Sequence, residues 1–119
     1  MLQNEAEASA NYDRFVERVK EHGEVWGLEL PGSGWARCAS NKEEGKWVLV
    51  FWSDRACAAH HQKDQWAAYV PISITIDKFI DVWLKSMHND GVLAGPNWDA
   101  HLCGREVAAL ELAKRLTEI

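Results

Sequence analysis

Cys57, His60, His61 and Asp64 crowd one short stretch of the chain, CAAHHQKD, and each residue type can bind a divalent metal or move a proton. On a helix Cys57 and His61 stand four apart, as do His60 and Asp64, so each pair shares a face. The two pairs diverge by about 100°, the step between successive helical residues, and cannot all meet one ion. A complete site would need further donors, and His101 and Cys103 are the evident ones. A polar surface helix that happens to carry histidines accounts for the same residues. The spacing therefore predicts no metal site and no cofactor.

Nucleophilic chemistry fares no better. Its candidates are Ser53 and the three cysteines, Cys38, Cys57 and Cys103, with five histidines as possible bases. None lies in a nucleophile turn of the G-x-S-x-G kind, and Ser53 is placed to cap the helix after it. Cys38 falls in a strand and Cys57 on the small-residue face of a helix, ordinary places for an inert thiol. Asp77 and Asp81 lie on the polar side of an amphipathic helix that Asp90 ends, where carboxylates are simply solvated. Gly32, Gly34, Gly91, Gly95 and Gly104 mark turns, and no arrangement of them resembles a phosphate-binding loop. No residue earns a catalytic role.

Tryptophan is the surplus, with seven in 119 residues. Trp83 belongs to the apolar stripe of its helix and reads as core. Trp47 and Trp52 bracket the strand WVLVFW five positions apart, so they point to opposite faces and one can stay partly open. Trp35, Trp66 and Trp98 sit at strand or loop margins, where an indole can keep its N–H wet. Anchoring the fold explains each one singly. Collectively they predict an exposed aromatic patch of the kind enriched at recognition hot spots.

The elements that must position these residues follow from periodicity. Residues 1–10 are polar and aperiodic and are expected to be flexible, leaving one domain over 11–119. From Asn11, the residues Tyr12, Phe15, Val16 and Val19 make a helical stripe that Gly23 ends. EVWGLEL and WARCAS read as two strands joined through Pro31-Gly32-Ser33-Gly34. WVLVFW, apolar on both faces, reads as a central strand. A polar helix over about 54–65 and a strand over Tyr69–Ile74 come next, with Pro71 pushing toward an edge strand or the strand's own beginning.

Thr75 caps the strongest helix, with Ile74 and Phe79 placed as a hydrophobic staple. Ile76, Phe79, Ile80, Trp83, Leu84 and Met87 form its stripe, and Gly91 ends it. Val92-Leu93-Ala94 is a short strand broken by Gly95-Pro96. A last helix, from about Arg105 to Thr117, turns Val107, Leu110, Ala113 and Leu116 inward. The order α-β-β-β-α-β-α-β-α predicts an α+β fold with a mixed, largely antiparallel sheet of about five strands.

Composition bounds the function classes. A net charge of −5, with the basic residues scattered, disfavours nucleic acid, whose affinity rests on Lys and Arg meeting phosphates. No apolar run approaches the ~20 residues needed to cross a bilayer. The N-terminus is acidic where an export signal would be basic and then apolar, and the odd, unpaired cysteines suit a reducing compartment. The expectation is a complete cytoplasmic chain.

Three groups of residues also carry a resemblance: Phe51-Trp52-Ser53-Asp54, Trp66-x-x-Tyr69-x-Pro71, and Phe79-x-x-x-Trp83-Leu84-x-x-Met87-x-x-Asp90-Gly91. With Tyr12-x-x-Phe15-x-x-x-Val19 and Val25-Trp26 upstream, the chain resembles the small bacterial family known as domain of unknown function 2750 over most of residues 11–98. The resemblance implies a compact cytoplasmic α+β protein of bacteria, and no activity, cofactor or catalytic residue comes with it.

These readings point to a non-enzymatic domain that binds a protein partner or a second copy of itself. Trp52, Trp66, Tyr69, Trp35 and Trp98 would be the anchors, on an acidic surface that favours a basic partner. The competing reading is a small-molecule-binding domain or enzyme with an aromatic-lined pocket between sheet and helix, using Trp52, Trp66 and Tyr69. A flat exposed tryptophan patch would favour the first, and an enclosed pocket the second.

Overall fold

The structure, a computed structural model, describes residues 5–118. Helix α1 spans Glu5–His22 and buries Tyr12, Phe15, Val16 and Val19. It starts ahead of the Asn11 at which its stripe begins, with Glu5 and Glu7 set against the positive end of the helix dipole. Residues 5–10 are thus helical, and residues 1–4 lie outside the described part.

The strands are β1 (Glu24–Leu30), β2 (Gly34–Trp35), β3 (Arg37–Ala39), β4 (Trp47–Phe51), β5 (Val70–Thr75) and β6 (Leu93–Pro96). Among the described residues they form two three-stranded sheets, ordered β2-β1-β5 and β3-β4-β6. Only β4 and β6 run parallel, so the α+β class and the largely antiparallel pairing are as expected. The strand count is six, because WARCAS does not stay in one sheet. Ala36 N donates to Leu28 O at 2.8 Å on one side, and Ala36 O accepts from Val50 N at 3.3 Å on the other. The strand changes sheets at this buried alanine, as strands do at the corners of packed sheets. β4 buries side chains on both faces. Val48 and Val50 join Leu28, Ala36, Trp52, Trp66 and Trp98, while Phe51 joins the helical core of α1 and the C-terminal half.

Pro71 lies in β5, an edge strand where a missing N–H costs no ladder bond. Gly95-Pro96 does not break the following strand, contrary to expectation. β6 is also an edge, so Pro96 is accommodated as its last residue.

Helix α2 (Arg55–His60) is shorter than expected and is capped by Asp54, whose Oδ1 accepts from Cys57 N at 2.7 Å. Ser53 therefore is not the cap. A 3-10 turn at Asp64–Trp66 then folds Trp66 inward. The long helix runs without interruption as α3 (Ile76–Lys78), a π-helical stretch Phe79–Leu84 and α4 (Lys85–Asp90). Thr75 accepts from Lys78 N at its start, and Gly91 ends it in the left-handed region, where a Cβ is disfavoured. Bonding from i to i+5 sets residues five apart almost above one another. That is how Phe79 and Leu84 both reach zero exposure.

Helix α5 (Ala109–Thr117) starts later than the sequence suggests because Val107 pairs with Ala94, each N–H donating to the other's carbonyl at 2.8 Å. The buried face becomes Ala109, Leu112 and Leu116, and Leu110 turns outward at 52% exposure. A Cβ on Gly95 would come within 2.7 Å of the Trp98 indole, and one on Gly104 closer still. Gly104→Ala is expected to destabilise the protein by about 1–3 kcal/mol, the cost of overpacking. The readout is a lower urea midpoint at unchanged m-value. An unchanged midpoint would contradict this seating of Trp98.

Candidate functional site

The parallel pair β4 and β6 ends on one side of its sheet, the position at which parallel strands commonly present ligand sites. There the chain leaves β4 through Trp52-Ser53-Asp54 and leaves β6 through Asn97-Trp98-Asp99. These segments, with α1 and α2, border an open cleft of about 430 Å³. Asn11, Arg14 and Arg18 line it from α1, and Ala56, Cys57, His60 and His61 from α2 and its C-cap.

Short-range polar bonds hold these walls. Asn97 sits at φ 50, a conformation that Asn adopts more readily than other side-chain-bearing residues. Its N–H donates to Phe51 O at 2.8 Å, and its Oδ1 accepts from Ser53 N at 2.9 Å. Its Nδ2 donates to Ser53 Oγ at 3.1 Å and reaches Asn11 O at 3.5 Å, tying both strand ends to α1. Ser53 is buried, and its hydroxyl serves this junction. The Trp52 indole donates to Trp98 O at 3.2 Å, and the Trp98 indole to Arg105 O at 2.8 Å.

His61, 6% exposed, stacks on Trp52 with ring centroids 4.5 Å apart. Its Nδ1 lies 2.9 Å from Cys57 O and its Nε2 3.0 Å from Asp99 O. A neutral imidazole has one N–H and can donate to only one of these carbonyls, whereas an imidazolium donates to both. Neither nitrogen is turned toward the cleft. Among the described residues no group of three or more His, Cys, Asp or Glu side chains is disposed to hold a metal ion.

The Cys57 thiol approaches Asp54 Oδ2 at 3.5 Å. Burial pushes its pKa up, the Asp54 hydrogen bond and charge push it further, and Arg18 offsets part of this. Burial, then the Glu106 charge, does the same to Cys38. Both are held as thiols, the unreactive form. Arg14 and Arg18 stand one helical turn apart on the face of α1 that borders the cleft. Arg14 donates to Asn11 Oδ1, and Arg18 lies 3.8 Å from Asp54 Oδ2 with both side chains well solvated, a weak pairing.

The five residues proposed as anchors are dispersed. Trp52 and Trp98 come together as cleft walls but are 1% and 3% exposed, so each offers an edge and not a face. Trp66 is buried beneath them, its ring 6.3 Å from Trp52 and 6.5 Å from Tyr69. Trp35 and Tyr69 border a different, smaller depression with Leu49 and Arg37. Trp83, expected in the core, is only partly buried and meets Trp35 edge-on at 4.6 Å. The large exposed indole is Trp47, 43% accessible, under the Arg37 guanidinium at 4.0 Å and on the opposite strand face from Trp52 as expected. The indole N–H groups of Trp52 and Trp98 are bonded within the protein and not left to water. Sequence reasoning passed over Arg14, Arg18 and Asn97. The Arg14-x-x-x-Arg18 spacing beside the apolar stripe was the available signal for the first two, and Asn97 carried none.

Two outcomes are expected from these contacts. Asp54→Asn keeps a good helix cap but removes the charge beside Cys57, so the pKa of Cys57 falls. Alkylation of Cys57 by iodoacetamide, followed by peptide mass spectrometry, should accelerate severalfold near neutral pH, with its rate-versus-pH curve displaced to lower pH. An unmoved curve would mean that Asp54 does not hold the thiol. His61→Phe preserves a ring over Trp52 but removes the ring nitrogens that bond the Cys57 and Asp99 carbonyls, of which the latter keeps the Leu102 N–H. It should cost about 1–3 kcal/mol in urea unfolding.

Neither the curated proteins nor the solved structures contain a significant match to this sequence. The family described as "Protein of unknown function (DUF2750)" does match, over residues 12–116. That span includes α1 from Tyr12 onward, both sheets, every cleft-lining residue but Asn11 and nearly all of α5, and the chain belongs to this family.

Proposed function

We propose that the protein binds a small organic molecule in the cleft at the carboxyl ends of β4 and β6, without covalent chemistry on its own residues. The observation that carries this reading is the cleft itself. Its volume of about 430 Å³ falls within the ~300–1,000 Å³ usual for small-molecule sites. Four separate segments converge on it, and internal hydrogen bonds fix its walls before any ligand arrives, which lowers the ordering cost of binding. A catalytic role has less support. The Ser53 hydroxyl is buried against Asn97, the Cys57 thiol is held protonated, and both His61 nitrogens face carbonyls.

A second reading, a protein partner or self-association, is favoured by a different face. Trp35, Leu49, Val82, Trp83 and Met87 line a groove of about 310 Å³, and Val82 among them is 52% exposed. The net charge of −5 would favour a basic partner there, within a cytoplasmic setting.

Fragment screening by NMR separates the two. Hits are expected to move the indole N–H signals of Trp52 and Trp98, and Ala56→Phe, which fills the cleft from α2, should abolish the shifts. Hits that move only Trp35 and Trp83 would sink the cleft reading. A sedimentation coefficient that rises with concentration and loses that rise in Val82→Asp would support the groove.

A further inference from the structure

We infer that the ligand of this cleft is an organic oxyanion, an apolar body carrying a carboxylate, sulfonate or phosphate gripped by Arg14 and Arg18. The inference rests on the binding reading above and goes beyond it by fixing the chemistry of the ligand. Its warrant is an imbalance between donors and acceptors on the cleft walls.

Most acceptors on the walls are already engaged. Asn97 Oδ1 takes Ser53 N at 2.9 Å, and Asp99 Oδ1 takes His101 N at 2.8 Å and Cys103 N at 3.1 Å, turning that carboxylate into its own loop. The carbonyls of Cys57 and Asp99 face His61, and that of Trp98 takes the Trp52 indole. The donors are in excess. Each guanidinium carries five N–H groups that cannot be deprotonated near neutral pH. Arg14 spends one on Asn11, and the 3.8 Å approach of Arg18 to Asp54 is too long to be a hydrogen bond. A ligand that fills the cleft must therefore bring acceptors, and the two arginine charges, which outnumber the single lining carboxylate of Asp99, select a negative one.

Geometry agrees. Residues four apart on a helix are offset by about 6 Å along its axis, a gap that one oxyanion can bridge with hydrogen bonds to both guanidinium forks. Behind them, Ala56, Cys57 and the edges of Trp52 and Trp98 offer apolar surface for the rest of the molecule. In a chain of net charge −5, two arginines lining one cavity stand out from the acidic background.

The test uses the full chain and two fluorescent probes, anilinonaphthalene sulfonate and phenylnaphthylamine, which share their aromatic rings and differ in charge. The sulfonate should bind saturably, and Arg14→Gln and Arg18→Gln should each weaken it about tenfold, the worth of a charge-assisted hydrogen bond. Binding of the uncharged probe should be the same in wild type and both variants. Displacement of the sulfonate by benzoate points to a carboxylate ligand and displacement by phenyl phosphate to a phosphate ligand, either of which supports the inference. Equal binding of both probes, insensitive to either arginine, overturns the oxyanion but leaves the cleft standing. If neither probe binds in a manner that Ala56→Phe abolishes, the cleft reading fails and this inference with it.

Discussion

Trp26 and Trp52 exchange backbone hydrogen bonds of 2.9 and 2.8 Å where the two sheets meet, and the rest of the molecule is arranged about that crossing. Each such bond contributes only about 1 kcal/mol net. The weight of the junction comes instead from the Trp52 side chain, which is fully buried and so adds about 1.5–3 kcal/mol or more from apolar area alone. One face of its indole meets His61, one edge meets Trp66, and its N–H reaches Trp98 O. A residue that ends a strand is thereby also the contact point for α2, the turn after it and the loop after β6.

That junction explains why the cleft is where it is. With Trp52 held, the chain must depart from β4 and β6 on the same side, and α1 crosses in front of both exits. Asn97 then closes the geometry, because its single side chain satisfies Ser53 on one strand exit and reaches α1 on the other. Polar groups that would otherwise point into the cleft are used up by the scaffold. Among the side chains left on its solvent side are the guanidinium groups of Arg14 and Arg18. A polar group here that lost its partner would bear part of the cost of desolvation.

Part of this was readable from the chain. The stripe on α1, the Thr75 cap, the Gly91 stop and the edge position of Pro71 all follow from residues close in sequence. The double-sided burial of β4 was equally evident in WVLVFW. Other features escaped because they hinge on partners far away. WARCAS reads as one strand because nothing local distinguishes Ala36 from its neighbours; it bends there because β1 claims its N–H and β4 its carbonyl. Leu110 fits a helical stripe until the pairing of Val107 with Ala94 delays the helix start. Ser53 looks like a cap, yet Asp54 takes that role once Asn97 has engaged the serine hydroxyl.

The tryptophans show the same division most plainly. Their number and their places at strand ends announced that they mattered, and the pattern of neighbours identified the family. Periodicity states which face of an element is apolar; it does not state what will cover that face. Sequence alone therefore determined the class of fold, the helix stops and the strand alternation, which depend on local dihedral preference and on apolar spacing. Only tertiary contact decided that Trp52, Trp66 and Trp98 lie inside and that Arg14 and Arg18 look into a cavity. Burial and charge placement depend on residues such as Asn11, Ser53 and Asn97, which lie far apart in the chain until the fold brings them together.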